Sequence, residues 1–189
     1  MAVAVVLAEP PVAGVPLPAL ASSALTGEQR ARLYRAMLAD VARAVQESGV
    51  DLLVNYRQAA AVDADVDPER ACRDALADLL PAPAEARYEV QVGETLSGRI
   101  GNTVTHLLEG EGADSVTVVD PTAAFLTRAD VGQATMTLRS AAVALAPAPG
   151  GRVALAGFTE PVDFEGAFAP PAVERLTERA TEDDLEVDF

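Results

Sequence analysis

Lysine is absent from this chain. All 14 of its basic residues are arginine, so positive charge is present only as planar guanidinium groups. Tryptophan is missing too and aromatic residues make up 4% of the sequence, so Ala, Val and Leu must fill the core. A single cysteine, Cys72, excludes an internal disulfide and fits a cytoplasmic location. One Cys and one His, His106, cannot supply an ordinary zinc ligand set. No stretch reaches the about 20 apolar residues of a membrane helix without a proline or a charge, so no membrane span is expected. The arginines are scattered singly among acids and form no basic stripe. That excludes a nucleic-acid partner, whose phosphates demand one.

What the chain has in excess is carboxylate. Asp and Glu total 29, the net charge is −15 and the isoelectric point is near 4.3. A GC-rich genome that encodes Lys as Arg explains the missing lysine but not the acid excess. Adaptation to concentrated salt explains both, because screening removes the self-repulsion of a crowded acidic surface. A halophilic protein of this kind should gain stability steeply with salt. The Debye length falls from about 10 Å at about 0.1 M to about 3 Å at about 1 M. Melting curves across that range should show a rising midpoint; a flat or falling one overturns the halophilic reading.

Half of the 189 residues are apolar and 23% are charged, a globular balance in a chain suited to one core. We expect a single domain over residues 1–189. The apolar opening Met1–Ala8, with "ASSA" at Ala21–Ala24, imitates a secretory signal. It lacks early positive charge, is interrupted by Glu9, and is followed by Pro10, Pro11, Pro16 and Pro18. A buried first strand over Ala2–Leu7 fits better.

Strand and helix signals then alternate. Thr26 and Gln29 form a capping box that opens a helix, whose apolar face is read from Leu33, Met37, Val41 and Val45. "DLLVN" at Asp51–Asn55 reads as a second strand. Pro68 opens a second helix with Cys72, Leu76 and Leu79 on one face. Tyr88–Val92 is a third strand and Thr95–Leu108 a third helix. Ser115–Asp120, "SVTVVD", is a fourth strand that ends on a carboxylate. Thr127 caps a helix to about Ser140, Ala141–Ala146 is a fifth strand and "RVALAGF" a sixth. A last helix over Pro171–Ala180 precedes the strand-like "LEVDF". This alternation predicts an α/β fold: three layers, with helices on both faces of a mostly parallel, doubly wound, Rossmann-like sheet. Ligands of such sheets bind where the loops after strands one and four meet.

Motif chemistry is sparse. "PPVAGVP" lacks the spacing of a dinucleotide fingerprint. His106 reads as a surface or satisfied helix histidine, and Cys72 as core filling. Asp63, Asp65 and Asp67 read as a solvated acidic loop, since Pro68 breaks any calcium-loop spacing.

Taken in order, "PPVAGVPLPAL", "TGEQRARLYRAMLADVARAV", "QVGETLSGRI", "VTVVDPTAAFL" and "LAPAPGGRVALAGF" resemble the glycosyltransferase-A-like proteins. These are the nucleotide-diphospho-sugar transferase superfamily, and the likeness is greatest to its selenodomain-associated transferase branch. Lactate guanylyltransferases are more distantly similar. The resemblance spans about Ala2 to Phe168. It implies a nucleotide in the loop after strand one, a divalent metal (Mg or Mn) on the strand-four carboxylate Asp120, and nucleotide contacts from Gly14, Arg99, Gly150 and Gly151. The implied partners are a nucleoside di- or triphosphate or a nucleotide sugar.

Several family positions differ. Leu17, Pro18, Ala19 and Leu20 stand where the family has Lys-Thr-Arg-Leu, and Pro149 where it has the hairpin acid. The resemblance also implies a closing segment after Phe189. It leaves two functions: a metal-dependent nucleotidyl- or glycosyltransferase with a degenerate site, or an inactive relative that serves as a binding or protein-interaction module. Each residue has a plain structural alternative. Asp120 would cap the turn at Pro121, Arg99 would bridge to a nearby acid, and the glycines would serve turns.

Overall fold

The computed structural model describes residues 1–189. Its strands are β1 (Ala2–Ala8), β2 (Asp51–Tyr56), β3 (Arg87–Val90), β4 (Ser115–Val119), β5 (Val143–Ala148), β6 (Arg152–Phe158) and β7 (Val187–Asp188). They form one seven-stranded sheet in the order β3-β2-β1-β4-β6-β5-β7. The first four strands are mutually parallel. β6 runs against both β4 and β5, because a tight hairpin joins it to β5. The sheet is therefore mostly parallel, with one reversed strand.

Its helices are α1 (Gly27–Ser48), α2 (Pro68–Leu76), α3 (Leu96–Thr105), α4 (Arg128–Thr137) and α5 (Ala172–Glu182). β1 shows why two helical layers are needed. Ala4, Val6 and Ala8 point into one apolar core with α1 and α2, whereas Val3, Val5 and Leu7 point into a second core with α3 and α5. A strand side chain alternates faces at every residue. A strand apolar at nearly every position must therefore be covered twice.

Caps match the local sequence. Thr26 and Gln29 bond reciprocally at the start of α1, and Thr127 and Asp130 do so at α4. Asp67 caps α2 by accepting from the Arg70 amide, so it does more than solvate a loop. The buried face of α1 differs from the expected one. Ala31, Tyr34, Leu38, Val41, Ala42 and Val45 are buried, while Leu33 is exposed. A strict four-residue repeat advances about 40° per step on a 3.6-residue helix, so Leu33 and Val45 cannot share a face. β5 begins at Val143, two residues later than expected. α3 ends in a wide turn over His106–Gly110. Cys72 is fully buried in the first core. Burial pushes its thiol up to about 12, which leaves it inert at neutral pH.

Candidate functional site

β1 and β4 are parallel neighbours at the centre of the sheet, where the winding direction reverses. Each ends in a carboxylate followed by proline: Glu9-Pro10 and Asp120-Pro121. Proline cannot donate to the ladder, so both strands stop there and their last side chains project beyond the sheet. A cleft of about 500 Å³ opens at these ends, lined by Glu9, Tyr34, Gln91, Arg99, Asp120 and Arg152 among its polar residues.

Asp120 is anchored by its own turn. Its amide donates to the Ala154 carbonyl at 2.9 Å. Its Oδ1 accepts from both the amide and the hydroxyl of Thr122, each at 2.7 Å. Oδ2 accepts no hydrogen bond. Asp120 is thus a turn cap through one oxygen and a free anionic ligand through the other. Magnesium and manganese are commonly held by one or two carboxylates plus substrate phosphates. The donor set fits a cation held by Asp120 and completed by phosphate and water.

Arg99 sits in the first turn of α3, behind the Thr95 cap. Its Nη1 donates to the Glu94 carbonyl at 3.0 Å, and its buried Nε has no partner. Burial lowers its pKa, the nearby Arg57 cation lowers it further, and Glu9 acts in the opposite sense. No acid lies close enough for an ion pair with it. Glu9 lies 3.6 Å from Arg57 Nε. Burial raises its carboxyl above the ordinary range, and Arg57 and then Arg99 only partly offset that. Tyr34 is 2% exposed, and its hydroxyl accepts from the Glu9 amide at 2.9 Å. It ties helix α1 to the end of β1. Burial raises its phenol far above the ordinary value, so it stays protonated.

The loop after β1 supplies Leu17, Pro18 and Ala19 to the cleft. Leu17 adopts a left-handed conformation, φ 54°. This wall is apolar where phosphates would approach. Arg152 also lines the cleft, its Nε donating to the Pro149 carbonyl at 3.3 Å.

Arg99 and Asp120 therefore meet in one cleft. Gly14, Gly150 and Gly151 lie outside its lining. Gly150 and Gly151, with φ 78° and 71°, form the β5–β6 hairpin, and a Cβ at Gly151 would stand 3.0 Å from Pro171 Cβ. Glu9, Tyr34, Gln91 and Arg152 were not singled out from sequence. The repeated strand-carboxylate-proline pattern marks Glu9 as the counterpart of Asp120. Nothing local marks the other three.

Two further features flank the site. A larger groove of about 870 Å³ runs along α3 and the Phe164–Pro170 segment, sharing Leu96 and Phe168 with the cleft. It holds a single charged residue, Glu165, so the smaller cleft is the chemically equipped one. Elsewhere Glu89, His106 and Glu111 bring ligand atoms within 4.8 Å of one another. Arg87 already occupies that cluster: it grips Glu111 through two hydrogen bonds of 2.9 and 2.8 Å and pairs with Glu89. A guanidinium there repels a metal. His106 is exposed and 3.4 Å from Glu111, a surface position.

The architecture matches solved structures over the whole chain. A protein of Desulfovibrio desulfuricans G20, assigned as a nucleotide-diphospho-sugar transferase, superposes with a TM-score of 0.80. The identity is 18%, with all of this chain and 79% of that one covered. This chain has the nucleotide-diphospho-sugar transferase fold. Members of this fold that superpose less closely include CMP:2-keto-3-deoxy-manno-octonic acid synthetase complexed with CTP, at TM-score 0.52 and 14% identity over 100% and 88% of the two chains. Another is 4-diphosphocytidyl-2C-methyl-D-erythritol synthase, at 0.52 and 16% over 100% and 87%. No family model and no curated protein matches the sequence. Within the transferase fold, the β1 and β4 ends that carry Glu9 and Asp120 form the switch point where ligands of doubly wound sheets bind. No helix is long and apolar enough to cross a membrane.

Proposed function

We propose that this protein binds a nucleoside di- or triphosphate, or a nucleotide sugar, in the central cleft. A divalent ion on Asp120 would assist, and the site is degenerate for transfer chemistry. The observation that carries this reading is the meeting of Asp120, with one free carboxylate oxygen, and Arg99, with an unpartnered guanidinium nitrogen, in one cleft. The cation, when bound, would neutralise phosphate charge. Arg99 would donate hydrogen bonds to the same anionic group, and Tyr34 would hold the end of β1 in place. The groove along α3 gives an acceptor a route to the cleft.

Charge balance argues for weak binding. The cleft's two carboxylates, Glu9 and Asp120, cancel its two guanidiniums, Arg99 and Arg152. Leu17, Pro18 and Ala19 offer no compensation, and the two prolines at 16 and 18 remove backbone donors. Each missing charge-assisted contact costs about 1.5–3 kcal/mol. Two of them weaken affinity by about a hundredfold or more. Calorimetry with guanosine and uridine diphosphates should give dissociation constants no tighter than high micromolar, with manganese required. Low-micromolar binding without metal would contradict both metal dependence and degeneracy. The apolar loop wall also supports a second reading, nucleotide binding without transfer, in a protein that acts through its partners.

A further inference from the structure

Gly132 lies in the middle of α4, where glycine weakens a helix because its free backbone loses the most entropy on folding. Its φ is not positive, so no left-handed turn demands glycine there. No close neighbour demands it either. A Cβ at Gly132 would meet nothing within 4 Å, whereas at Gly98, Gly101 and Gly157 it would crowd Thr95, Phe164 and Leu138 at 3.1, 2.8 and 2.6 Å. Every other glycine of the chain has either a positive φ or such a neighbour. Gly132 alone has no reason within a single chain, and the close approach of a second backbone supplies one.

The face around Gly132 suits such a contact. α4 buries Val131 and Leu138 on its inner side and leaves Met136 53% exposed; Phe125, in the turn before the helix, is 65% exposed. Phe and Met are enriched at protein interfaces. Acids are nearly missing here. Of the chain's 29 acids a single one, Asp130, lies between Pro121 and Thr159, about a fifth of the sequence. Its carboxylate is already bound by the amide and hydroxyl of Thr127. Two copies of net charge −15 repel across most of their surface. On this face Arg128 and Arg139 stand against that single acid, so here two copies meet without acid facing acid.

We propose that α4 is the contact surface of a homodimer, two copies packing antiparallel about a two-fold axis at Gly132. A two-fold contact uses the same patch on both sides, so the patch must complement itself. This one does: Phe125 and Arg139 each stand seven positions from Gly132. Antiparallel pairing sets Phe125 of one copy beside Arg139 of the other at both ends, a cation against an aromatic ring. At the centre, glycine opposite glycine lets the two helices approach closely. α4 has ten residues and is about 15 Å long, so the contact falls at the small, reversible end of specific interfaces. This inference is independent of the nucleotide reading.

The test is sedimentation velocity over about 1–500 μM protein, the range of a small interface. It should show a monomer passing to a dimer. The dimer fraction should be larger at about 1 M salt than at about 0.1 M, because screening removes the repulsion between two acidic bodies. Gly132→Glu should make the protein monomeric throughout, since it sets two carboxylates against each other at the axis. Glutamate is a better helix former than glycine, and its Cβ meets nothing in the single chain. The variant should therefore melt no lower than the unaltered protein at low concentration. Met136→Gln should weaken the dimer by about fivefold or more, the effect of losing an apolar contact residue. A protein that stays monomeric across the range in both salts overturns the proposal and leaves the face to a different protein. A dimer undiminished in Gly132→Glu overturns it as well, by placing the contact elsewhere.

Discussion

Asp120→Asn should leave the protein folded and remove most of its metal-dependent nucleotide binding. The amide keeps an oxygen to accept from the Thr122 amide and hydroxyl, the two contacts that anchor the native side chain. The turn after β4 survives, and so does the Asp120 amide's bond to Ala154. What is lost is the negative charge on the second oxygen. A divalent cation held by phosphate, water and one neutral amide loses its only fixed anionic ligand from this residue. The loss of one charge-assisted contact, about 1.5–3 kcal/mol, corresponds to a fall in affinity of roughly 10- to 150-fold. Calorimetry with and without manganese checks it, with melting curves to confirm the fold. An affinity unchanged by the substitution places the metal elsewhere and leaves Asp120 as a turn cap.

Glu9→Gln should act in the opposite direction and tighten nucleotide binding. Glu9 shares the cleft with Asp120 and Arg99, so its charge opposes an incoming phosphate. At an effective dielectric of about 20 and a separation of about 10 Å, one unit charge is worth roughly 1.7 kcal/mol. The expected gain is thus up to about 15- to 20-fold at low salt, and smaller as salt is added.

The same substitution has a signature in stability. Burial raises the Glu9 carboxyl above its ordinary value of 4.5, so the folded state binds this proton more tightly than the unfolded chain. The resulting contribution to stability is fully present below about 4.5 and is lost as pH rises through the raised folded value. Glutamine mimics the protonated form at every pH. Glu9→Gln and the native protein should therefore melt together in acid and diverge above that window, with the variant the more stable. The other acids titrate in both proteins and cancel in the difference. A variant less stable than the native protein at neutral pH would show that the Arg57 pair outweighs the burial of Glu9.

Periodicity and capping made most of the fold legible. The unalternating apolar run of β1 demands two covering layers, and Thr26-Gln29, Pro68 and Thr127 mark helix starts found where expected. Asp120 was legible because a strand ending in Asp-Pro must stop and expose its carboxylate. Arg99 stood out through the resemblance alone. Leu33 misled because a four-residue repeat resembles a helical face over one turn and drifts off it over three.

By itself, then, the sequence determined the class of fold, the acidic surface, the inert Cys72 and the carboxylate at the end of β4. These rest on local chemistry: side-chain period, proline's missing donor, capping hydroxyls and charge count. Only the tertiary structure decided that Glu9, Gln91 and Arg152 share one cleft with Asp120 and Arg99. It also decided that Gly14, Gly150 and Gly151 stand outside it, and that Gln91 keeps a free acceptor. Those facts depend on strand order. β1 lies between β2 and β4 although 42 residues separate the end of β1 at Ala8 from the start of β2 at Asp51, and more than 100 separate β1 from β4. Which residues meet at a sheet edge follows from how the chain crosses over, and no local pattern records the crossing.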